Sequence, residues 1–232
     1  MFESFLDLFF PKKCVNCHKI GNFLCDNCFS LISYNNIYSC CVCLRPSIDG
    51  FTHPGCKKKL TIDAVIPVVS YKGVVKKLLY QFKYAPYLSS LEKIMGEIMY
   101  EGLIQNESMV RYLKISLFTS VPVHPSKLRQ RGYNHAELLA KNMAEKLRRP
   151  YSNLLTRVKK TSPQYKLGKT ERASNIKGAF IMSHNIGNRL ENSNIILVDD
   201  VATTYSTLRE CAHTLKKNGA GKVIAVTFAK ET

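Results

Sequence analysis

Four short runs of apolar residues, rich in β-branched side chains, recur along the chain. They lie at 61–71, 115–123, 195–198 and 222–229. Runs of this length and composition predict buried strands of a parallel sheet, and a further short strand is expected near Phe180. Because Pro67 lacks a backbone donor, we expect the first strand to be interrupted or to lie at an edge of the sheet.

Helical periodicity occupies the intervals between these runs. Apolar residues recur every three to four positions in the segments 73–83, 88–105, 134–147 and 206–218. Asn134 followed by Glu137 predicts a capping box at the start of the third helix, and Gly219 predicts the end of the fourth. The alternation of strands and helices predicts an α/β fold, with one parallel sheet and helices on both of its faces.

The inward face of the last helix can be read from its spacing. Leu208, Cys211, Ala212 and Leu215 recur at helical intervals, so Cys211 is expected to be a packed thiol and His213 a solvated side chain. The polar segment from Arg157 to Lys177 has no such period. Long segments of this kind in compact domains are usually functional or disordered.

The first ten residues are apolar at helical spacing and end at Pro11. They predict a short docking helix, which we favour over a membrane anchor because the stretch contains no Lys or Arg. Glu3 and Asp7 and the missing basic start argue against a signal peptide. No apolar run approaches the roughly 20 residues needed to span a bilayer. We therefore expect a cytoplasmic protein without an integral membrane segment.

The charge balance is unusual for a chain with 45% hydrophobic residues. Lys and Arg outnumber Asp and Glu by 34 to 17, a formal net charge of +17, which predicts a polyanionic partner. Fourteen Lys and Arg against three Glu lie between His124 and Lys177. This basic stretch, with tyrosines that could stack bases, predicts binding of single-stranded DNA. The alternatives are that the basic residues are only solvated surface charge and that the tyrosines are half-buried packing residues. The expected nucleic-acid contacts are Arg129, Arg131, Tyr133, Lys159, Lys160, Lys166 and Arg172.

Eight potential metal ligands occur as four pairs spaced i, i+3. The pairs are Cys14 and Cys17, Cys25 and Cys28, Cys40 and Cys43, and His53 and Cys56. Two such pairs complete one tetrahedral Zn2+ shell, so the simplest partition gives the first two pairs to one ion and the last two to another. Interleaved pairing and an empty second cluster are the alternatives. Cys41 and His18 are interpreted as bystanders. The pairs predict a module over residues 1–60, ahead of an α/β domain over 61–232.

The segment from Ile195 to Val198 is followed directly by Asp199 and Asp200, and then by a hydroxyl-rich loop. We interpret the run as a buried parallel strand whose carboxyl end delivers the two carboxylates into solvent. Ligands of parallel α/β sheets bind at the carboxyl ends of the strands. Carboxylates there suit sugar hydroxyls or Mg2+, while the loop and the start of the next helix suit a phosphate. A phosphorylated sugar fits both. The alternative is that the acids only cap the next helix.

This stretch resembles the phosphoribosyl diphosphate (PRPP) motif of type I phosphoribosyltransferases, an apolar strand, two acids and Thr-Gly-x-Thr, with Tyr205 in place of the Gly. The Cys pairs, Arg131-Gly132-Tyr133-Asn134 and the spacing Gln164, Arg172, Asn175, Phe180 extend the resemblance to the ComF family, over nearly the whole chain. The resemblance implies a zinc finger on a type I phosphoribosyltransferase-like domain. It also implies handling of single-stranded DNA during natural transformation, together with other DNA-uptake proteins such as a helicase-type partner.

Carried onto this chain, the resemblance implies that Asp199 and Asp200 hold ribose hydroxyls or Mg2+ as the catalytic pair. Lys83 is implied to face the pyrophosphate, and we expect Arg131 to be a further contact because a guanidinium matches phosphate geometry. The implied phosphate loop comprises Ala202, Thr203, Thr204, Tyr205, Ser206 and Thr207. A Cβ at position 205 hinders the positive φ of such loops, so we expect PRPP geometry to be impaired and catalysis to be weak or absent. An active Mg2+-dependent phosphoribosyltransferase with an unknown acceptor is the alternative.

Overall fold

A computed structural model of the chain describes residues 11–35, 37–84, 88–159, 175–183 and 190–231. Its centre is a sheet of the four strands β1 (Ala64–Ser70), β2 (Leu117–Ser120), β5 (Ile195–Ala202) and β6 (Val223–Lys230), in the order β1-β6-β5-β2. Every neighbouring pair in it is parallel. Strands β3 (Leu155–Arg157) and β4 (Phe180–Met182) form a separate antiparallel pair. The helix expected over residues 1–10 and the predicted contacts Lys160, Lys166 and Arg172 lie outside the described residues.

The helices are α1 (Asp26–Phe29), α2 (Gly73–Lys83), α3 (Leu91–Ile104), α4 (Glu107–Leu113), α5 (Pro125–Arg131), α6 (His135–Lys146) and α7 (Ser206–Lys217), with 3-10 turns at Ile48–Gly50 and Pro54–Cys56. The four helices predicted from periodicity are α2, α3, α6 and α7. The short helices α4 and α5 and strand β3 were not predicted, because three to seven residues are too few to show a period. Within the described ranges, none of the helices has the length and apolarity that a bilayer crossing requires.

The sheet separates two cores, and β5 shows how. Its residues Ile196 and Val198 belong to the core formed with α2, α3 and α6, whereas Ile195 and Leu197 belong to the core formed with α7. Successive strand residues point to opposite faces, so a continuous apolar run fills both cores. The α/β class predicted from the sequence, one parallel sheet with helices on both faces behind a Cys-rich module, is confirmed.

The Cys-rich module is packed into the first core. Cys14, Leu24 and Ile32 lie in the same buried cluster as β1 and α2. Single bridges join Tyr34 to Val69 and Phe51 to Ala64, both on β1. Gly50 has φ +72°, and a Cβ there would lie 2.3 Å from the Val65 carbonyl oxygen, so only glycine fits this approach. The module and the sheet therefore share one hydrophobic core.

Two local predictions have different outcomes. Strand β1 is an edge strand, as Pro67 led us to expect, and it continues through that residue. The capping box at Asn134 is wrong. This residue precedes α6, but its side chain does not cap the helix; Asn134 Nδ2 instead donates to the Val121 carbonyl oxygen at 3.1 Å. Burial beside the end of β2 gives the amide a tertiary acceptor, which local sequence cannot reveal.

Candidate functional site

The acid pair lies inside β5, before the last two residues of the strand. Asp199 is in register with Thr227 of β6, and the strand continues to Ala202. Because successive residues alternate, Asp199 faces the α7 side of the sheet and Asp200 faces the α2 and α6 side. Both are half-buried. The expectation that the strand delivers them into solvent is wrong, since the strand extends further and packing elements flank both faces.

Asp200 is paired with Lys83, the last residue of α2. The Lys83 Nζ lies 2.9 Å from Asp200 Oδ1, and their side chains are 22% and 14% exposed. Burial alone would raise the pKa of Asp200, but the ammonium of Lys83 outweighs it and holds that pKa below its usual range. Burial likewise opposes the charged form of Lys83, but the Asp200 carboxylate outweighs burial and raises the pKa of Lys83. The lysine expected to face pyrophosphate is therefore bound to a carboxylate.

Asp199 lies in a different electrostatic environment. Burial and the neighbouring Asp200 carboxylate raise the pKa of Asp199 to about 8. Arg157, at the end of β3, acts against this shift from the same face of the sheet. Asp200 is therefore the more acidic member of the pair, and Asp199 is the one that binds a proton more readily.

A group of basic side chains surrounds the acid pair. Burial lowers the pKa of Lys127, and the nearby charges of Arg131, Arg157 and Lys83 lower it further. These four cations come from α2, α5 and β3, which the chain places far apart. Four cations beside two acids leave a net positive site that favours a polyanionic ligand.

His135 lies beside this group and was not singled out from the sequence. Its imidazole is 1% exposed, and burial lowers its pKa to about 4, so the ring is neutral. Arg131 Nη1 donates to His135 Nδ1 at 3.3 Å, which leaves the proton on Nε2. The ring edge packs on Phe82 and Tyr133. His135 therefore orients Arg131, one of the predicted anion contacts.

The predicted phosphate loop connects β5 to α7. Tyr205 has φ 60° and ψ 4°, the left-handed conformation that the Gly of the motif would supply, and it immediately precedes the first helical residue. Thr204 Oγ1 and Ser206 Oγ share a hydrogen bond of 3.0 Å. The Ala202 carbonyl oxygen accepts from the Glu231 amide at 2.9 Å. The loop therefore keeps the turn that the motif requires and carries the strain of a side chain there.

The side chain of Tyr205 points into the protein. It is 2% exposed, and its hydroxyl lies 3.1 Å from Ser39 Oγ, next to the second Cys cluster. Lys230 Nζ donates to the same Ser39 oxygen at 2.9 Å and lies 5.5 Å from the centre of the Tyr205 ring. Nothing in the local sequence indicates this contact, since Ser39 and Tyr205 are 166 positions apart.

The Cys pairs form two clusters, in the simplest of the expected partitions. In each cluster all four ligand atoms lie within 4.8 Å of one another. The first comprises Cys14, Cys17, Cys25 and Cys28, and the second comprises Cys40, Cys43, His53 and Cys56. Both sets can therefore hold a metal ion, and the interleaved pairing is wrong.

The two clusters repeat one backbone turn. His18 and Leu44 each follow the second Cys of a pair, and each has φ 62°. Their amides donate at 2.9 Å to the carbonyl oxygens of Cys14 and Cys40 respectively. The turn aims both sulfurs of a pair to one side. His18, interpreted as a bystander, is thus the left-handed residue of the first turn.

The donor set of the second cluster fits a tetrahedral, thiophilic ion. His53 Nδ1 lies 3.3 Å from Cys43 Sγ, while its Nε2 lies 3.0 Å from the Pro46 carbonyl oxygen, the outer hydrogen bond that fixes a ligating imidazole. Backbone donation from Arg45 lowers the pKa of Cys43 to about 7. Burial and the Cys43 and Cys40 thiols raise the pKa of Cys56 to about 11. A dication would remove this mutual repulsion.

The predicted nucleic-acid residues fall into two groups. Arg129 and Lys159 are exposed, and Lys159 Nζ donates to the Lys177 carbonyl oxygen at 2.8 Å. Tyr133 is half-buried; its ring packs on Phe82, and its hydroxyl donates to the Phe82 carbonyl oxygen at 2.8 Å. The expectation that Tyr133 stacks a base is therefore corrected, because its ring and hydroxyl hold α2 against α6.

Comparison with curated proteins gives relatives of similar length, although no family model matches the chain. The chain is 27% identical over 223 residues to Competence protein F of Haemophilus influenzae, which covers 93% of this chain and 95% of that protein. It is 28% identical over 229 residues to Competence protein ComFC of Bacillus subtilis, with 94% and 84% covered. The DNA utilization protein YhgH of Salmonella typhimurium is 29% identical over 160 residues, 68% of each chain.

Among solved structures, a glutamine PRPP amidotransferase from B. subtilis complexed with ADP and GMP overlaps 60% of this chain with a TM-score of 0.39 and 18% identity. A structure of the allosteric regulatory enzyme of purine biosynthesis overlaps the same share with a TM-score of 0.38 and 20% identity. Each match covers 26% of the solved chain.

Proposed function

Because the chain is a ComF-family relative of curated competence and DNA utilization proteins, we propose that it binds and handles single-stranded DNA during DNA uptake. The site beside Asp199 and Asp200 would hold a ribose phosphate, taken either from PRPP or from the strand itself. The protein would act in the cytoplasm beside other DNA-uptake proteins, such as a helicase-type partner.

One observation carries this proposal. Two acidic side chains, the left-handed turn at Tyr205 and four cations from α2, α5 and β3 meet at the carboxyl end of β5. The carboxylates suit ribose hydroxyls, and the loop amides with the cations suit phosphate. Lys83 would transfer its ion pair from Asp200 to the ligand. A sugar phosphate is the smallest ligand that uses all three features.

Zn2+ is the proposed ion in both Cys clusters. Four cysteines in the first cluster, and three cysteines with one histidine in the second, match the tetrahedral structural sites of zinc, which contribute directly to folding. The second cluster lies next to Ser39, and through Ser39 it supports the buried Tyr205. Zinc in this position would stabilise the phosphate loop and take no part in chemistry.

For DNA, the supporting feature is the basic stretch from His124 onward, in which Arg129 and Lys159 are exposed. Arg131 lies on the same stretch, next to His135 and the acid pair. Cations at this density release counterions when phosphates replace them, so binding would be strong at low salt and insensitive to sequence.

The second candidate is a Mg2+-dependent phosphoribosyltransferase. The paired carboxylates favour it, since Asp199 and Asp200 would hold Mg2+ with the ribose hydroxyls, and Mg2+ would neutralise the pyrophosphate as it leaves. Lys83 and Arg131 would add positive charge on the same side. Against turnover stands Tyr205, whose Cβ lies where the loop of the family allows close approach of the anion.

One experiment tests both candidates. Fluorescein-labelled oligo-dT and PRPP with Mg2+ are titrated into the same zinc-loaded sample, each in the presence of the other. We expect DNA binding that weakens steeply with salt, and mutual competition if the strand shares the ribose phosphate site. Replacing Arg129, Arg131 and Lys159 by Glu should nearly abolish DNA binding. Unaltered affinity in that variant would refute the DNA proposal, and turnover with any nucleobase would favour the enzyme.

A further inference from the structure

A second basic cavity lies on the opposite side of the phosphate loop from Lys83 and Arg131. Its volume is about 680 Å3, and it lies between the turn at 58–61, the segment around Ile176 and the first two turns of α7. Its walls carry the cations Lys58, Lys59, Lys177 and Arg209. We call this cavity the finger cleft, because Val42 and Cys56, within or beside the second Cys cluster, also line it.

The cations of the finger cleft are available to a ligand. Lys57, next in the chain, is ion-paired with buried Asp63 at 2.9 Å, and Lys216 pairs with the same carboxylate at 2.7 Å. Lys58, Lys59 and Arg209 are exposed. Glu210 is the acid that lines the cleft, and it accepts from the Gly178 amide at 2.6 Å. Among the described residues, no carboxylate is paired with the cleft lysines or Arg209.

The turn that carries the two lysines is fixed in place. The Lys58 amide donates to Thr61 Oγ1 at 3.0 Å, and the Thr61 amide donates to the Lys58 carbonyl oxygen at 3.0 Å. The Asp63 ion pairs anchor its far side to α7. The turn therefore presents two neighbouring exposed lysines from an ordered backbone.

The interior of the cleft is apolar. Val42, Leu60, Ile62 and Ile176 line it beneath the charged rim. An apolar floor with a cationic rim matches a nucleotide, whose base is apolar on its faces and whose phosphate is anionic. An acidic peptide would use the rim but would leave the floor unfilled.

Ser206 belongs to both sites. It shares the hydrogen bond with Thr204 in the phosphate loop, and it also lines the finger cleft. If the loop holds the 5'-phosphate of one nucleotide, the remaining ester bond of that phosphate leads to the 3'-oxygen of the preceding nucleotide. A strand seated in the loop therefore continues into the finger cleft on its 5' side.

We propose that the finger cleft binds the nucleotide that precedes the loop-bound phosphate in a single-stranded nucleic acid. Lys58, Lys59 and Arg209 contact its phosphate, and the apolar floor receives its base. This inference rests on the proposed DNA function and adds a defined path for the strand, from the phosphate loop along the second Cys cluster.

The test compares two variants with equal charge change. In the cleft variant Lys58, Lys59 and Arg209 are replaced by Gln, and in the control variant the exposed Lys72, Lys114 and Lys217 are replaced by Gln. Binding of oligo-dT of about 12 nucleotides and of 5'-dTMP is measured by anisotropy and calorimetry across salt concentrations. Thermal unfolding and zinc content confirm that both variants fold.

For the cleft variant we expect oligo-dT affinity to fall by about ten-fold or more and the salt slope to fall by about 0.7, since the three cations contact one single-strand phosphate, which is worth roughly 0.7. Binding of 5'-dTMP should fall much less than binding of oligo-dT, because the cleft variant leaves the phosphate loop intact for a single nucleotide. The control variant should retain wild-type affinity within about three-fold at low salt.

Two outcomes separate the failures. If the wild type does not bind oligo-dT at all, the proposed function is refuted. If it binds and the cleft and control variants lose equal affinity, the finger cleft is refuted while the proposed function stands. A poly-Glu peptide is the third probe. If it binds the wild type saturably, if the cleft variant loses that binding, and if oligo-dT does not displace the peptide, the cleft is assigned to an acidic protein instead.

Discussion

The hydroxyl of Tyr205, in the phosphate loop, lies 3.1 Å from Ser39 Oγ, one residue before the second Cys cluster. Lys230, at the end of β6, donates to the same serine oxygen. The loop that would bind an anion is thus anchored to a candidate metal site 166 positions earlier in the chain. A side chain that strains the backbone is retained because its ring and hydroxyl join two parts of the molecule.

Replacing Tyr205 by Phe tests this anchor without changing the backbone. The ring stays in the second core, and only the bond to Ser39 is lost, so we expect unfolding to become easier by about 0.5 to 1.5 kcal/mol. Denaturant titration measures the change. Ser39→Ala is the matched variant from the other side, and a double-mutant cycle with Tyr205→Phe should show coupling. Additive effects would mean that the hydroxyl contact contributes nothing.

Replacing Tyr205 by Gly should give a different result. Glycine relieves a positive φ worth about 1 to 3 kcal/mol, but the loss of a buried aromatic ring costs about 3 to 5 kcal/mol. We expect a net loss of stability together with tighter PRPP binding, measured by calorimetry on the folded fraction at low temperature. Weaker PRPP binding by the folded Tyr205→Gly variant would show instead that the tyrosine side chain supports the geometry of the anion site.

The contrast at position 205 shows what the sequence can and cannot predict. The motif predicted where a side chain conflicts with the loop, because such loops use a positive φ that a Cβ hinders, but it left open whether Tyr205 keeps that φ or the loop turns differently. The position of the Tyr205 ring depends on Ser39 and Lys230, which no local sequence pattern relates to it.

Among the other residues of the site, Lys83 was predicted through the resemblance alone. Lys127, Arg157 and His135 were missed because only tertiary packing brings them to the acid pair. Strands and long helices were predicted well, since burial on two faces imposes a readable period.

Metal content is the next prediction. We expect two Zn per chain by elemental analysis, and one in Cys40→Ser, because each cluster is complete by itself. Loss of the second ion should also lower the local stability of the phosphate loop, measured as faster amide exchange at 203–207, through Ser39.

Cys41→Ser is the matched control for that experiment. Cys41 neighbours Cys40 and is buried, but it lies outside both clusters and contacts Thr52 Oγ1 at 3.5 Å. The zinc content of this variant should remain two per chain. A folded wild type without metal, or equal zinc loss in the two variants, would contradict the assignment of the second cluster.

The ion pair of Lys83 and Asp200 gives a prediction by double mutation. Lys83→Met leaves a half-buried carboxylate without its cation, which we expect to cost about 3 to 5 kcal/mol as for other broken buried pairs. Adding Asp200→Asn should restore most of that stability, because the orphan charge is gone. Urea unfolding of the four proteins gives the coupling energy. No rescue by the second change would show that Lys83 stabilises α2 through its packing alone.

The raised pKa of Asp199 predicts the sign of a pH effect. Its folded-state pKa of about 8 lies above the roughly 3.9 of an unfolded Asp, so the folded protein binds the extra proton throughout that interval. The contribution of Asp199 to stability is therefore fully present below about pH 4 and is lost as pH rises to about 8. Asn cannot ionise, and it keeps a similar shape. We expect Asp199→Asn to match the wild type near pH 4 and to melt at an increasingly higher temperature than the wild type up to pH 8, without divalent cations.

Asp63 supplies the opposite case on the same protein. It is buried, but hydrogen bonds from Lys216 and Lys57 outweigh burial and lower its pKa. Its stabilising effect is present above the unfolded pKa and disappears as pH falls, so Asp63→Asn should be destabilising at neutral pH and nearly neutral in acid. Between pH 4 and 8 the melting temperature of Asp199→Asn should therefore rise progressively above that of the wild type. That of Asp63→Asn should stay below the wild type by a constant amount, which shrinks only below about pH 4. A lower melting temperature for Asp199→Asn than for the wild type at pH 8 would mean that Asp199 is ionised and stabilised by Arg157. Both acids would then be carboxylates before any ligand binds, which is the state that binding of a cation or of ribose hydroxyls requires.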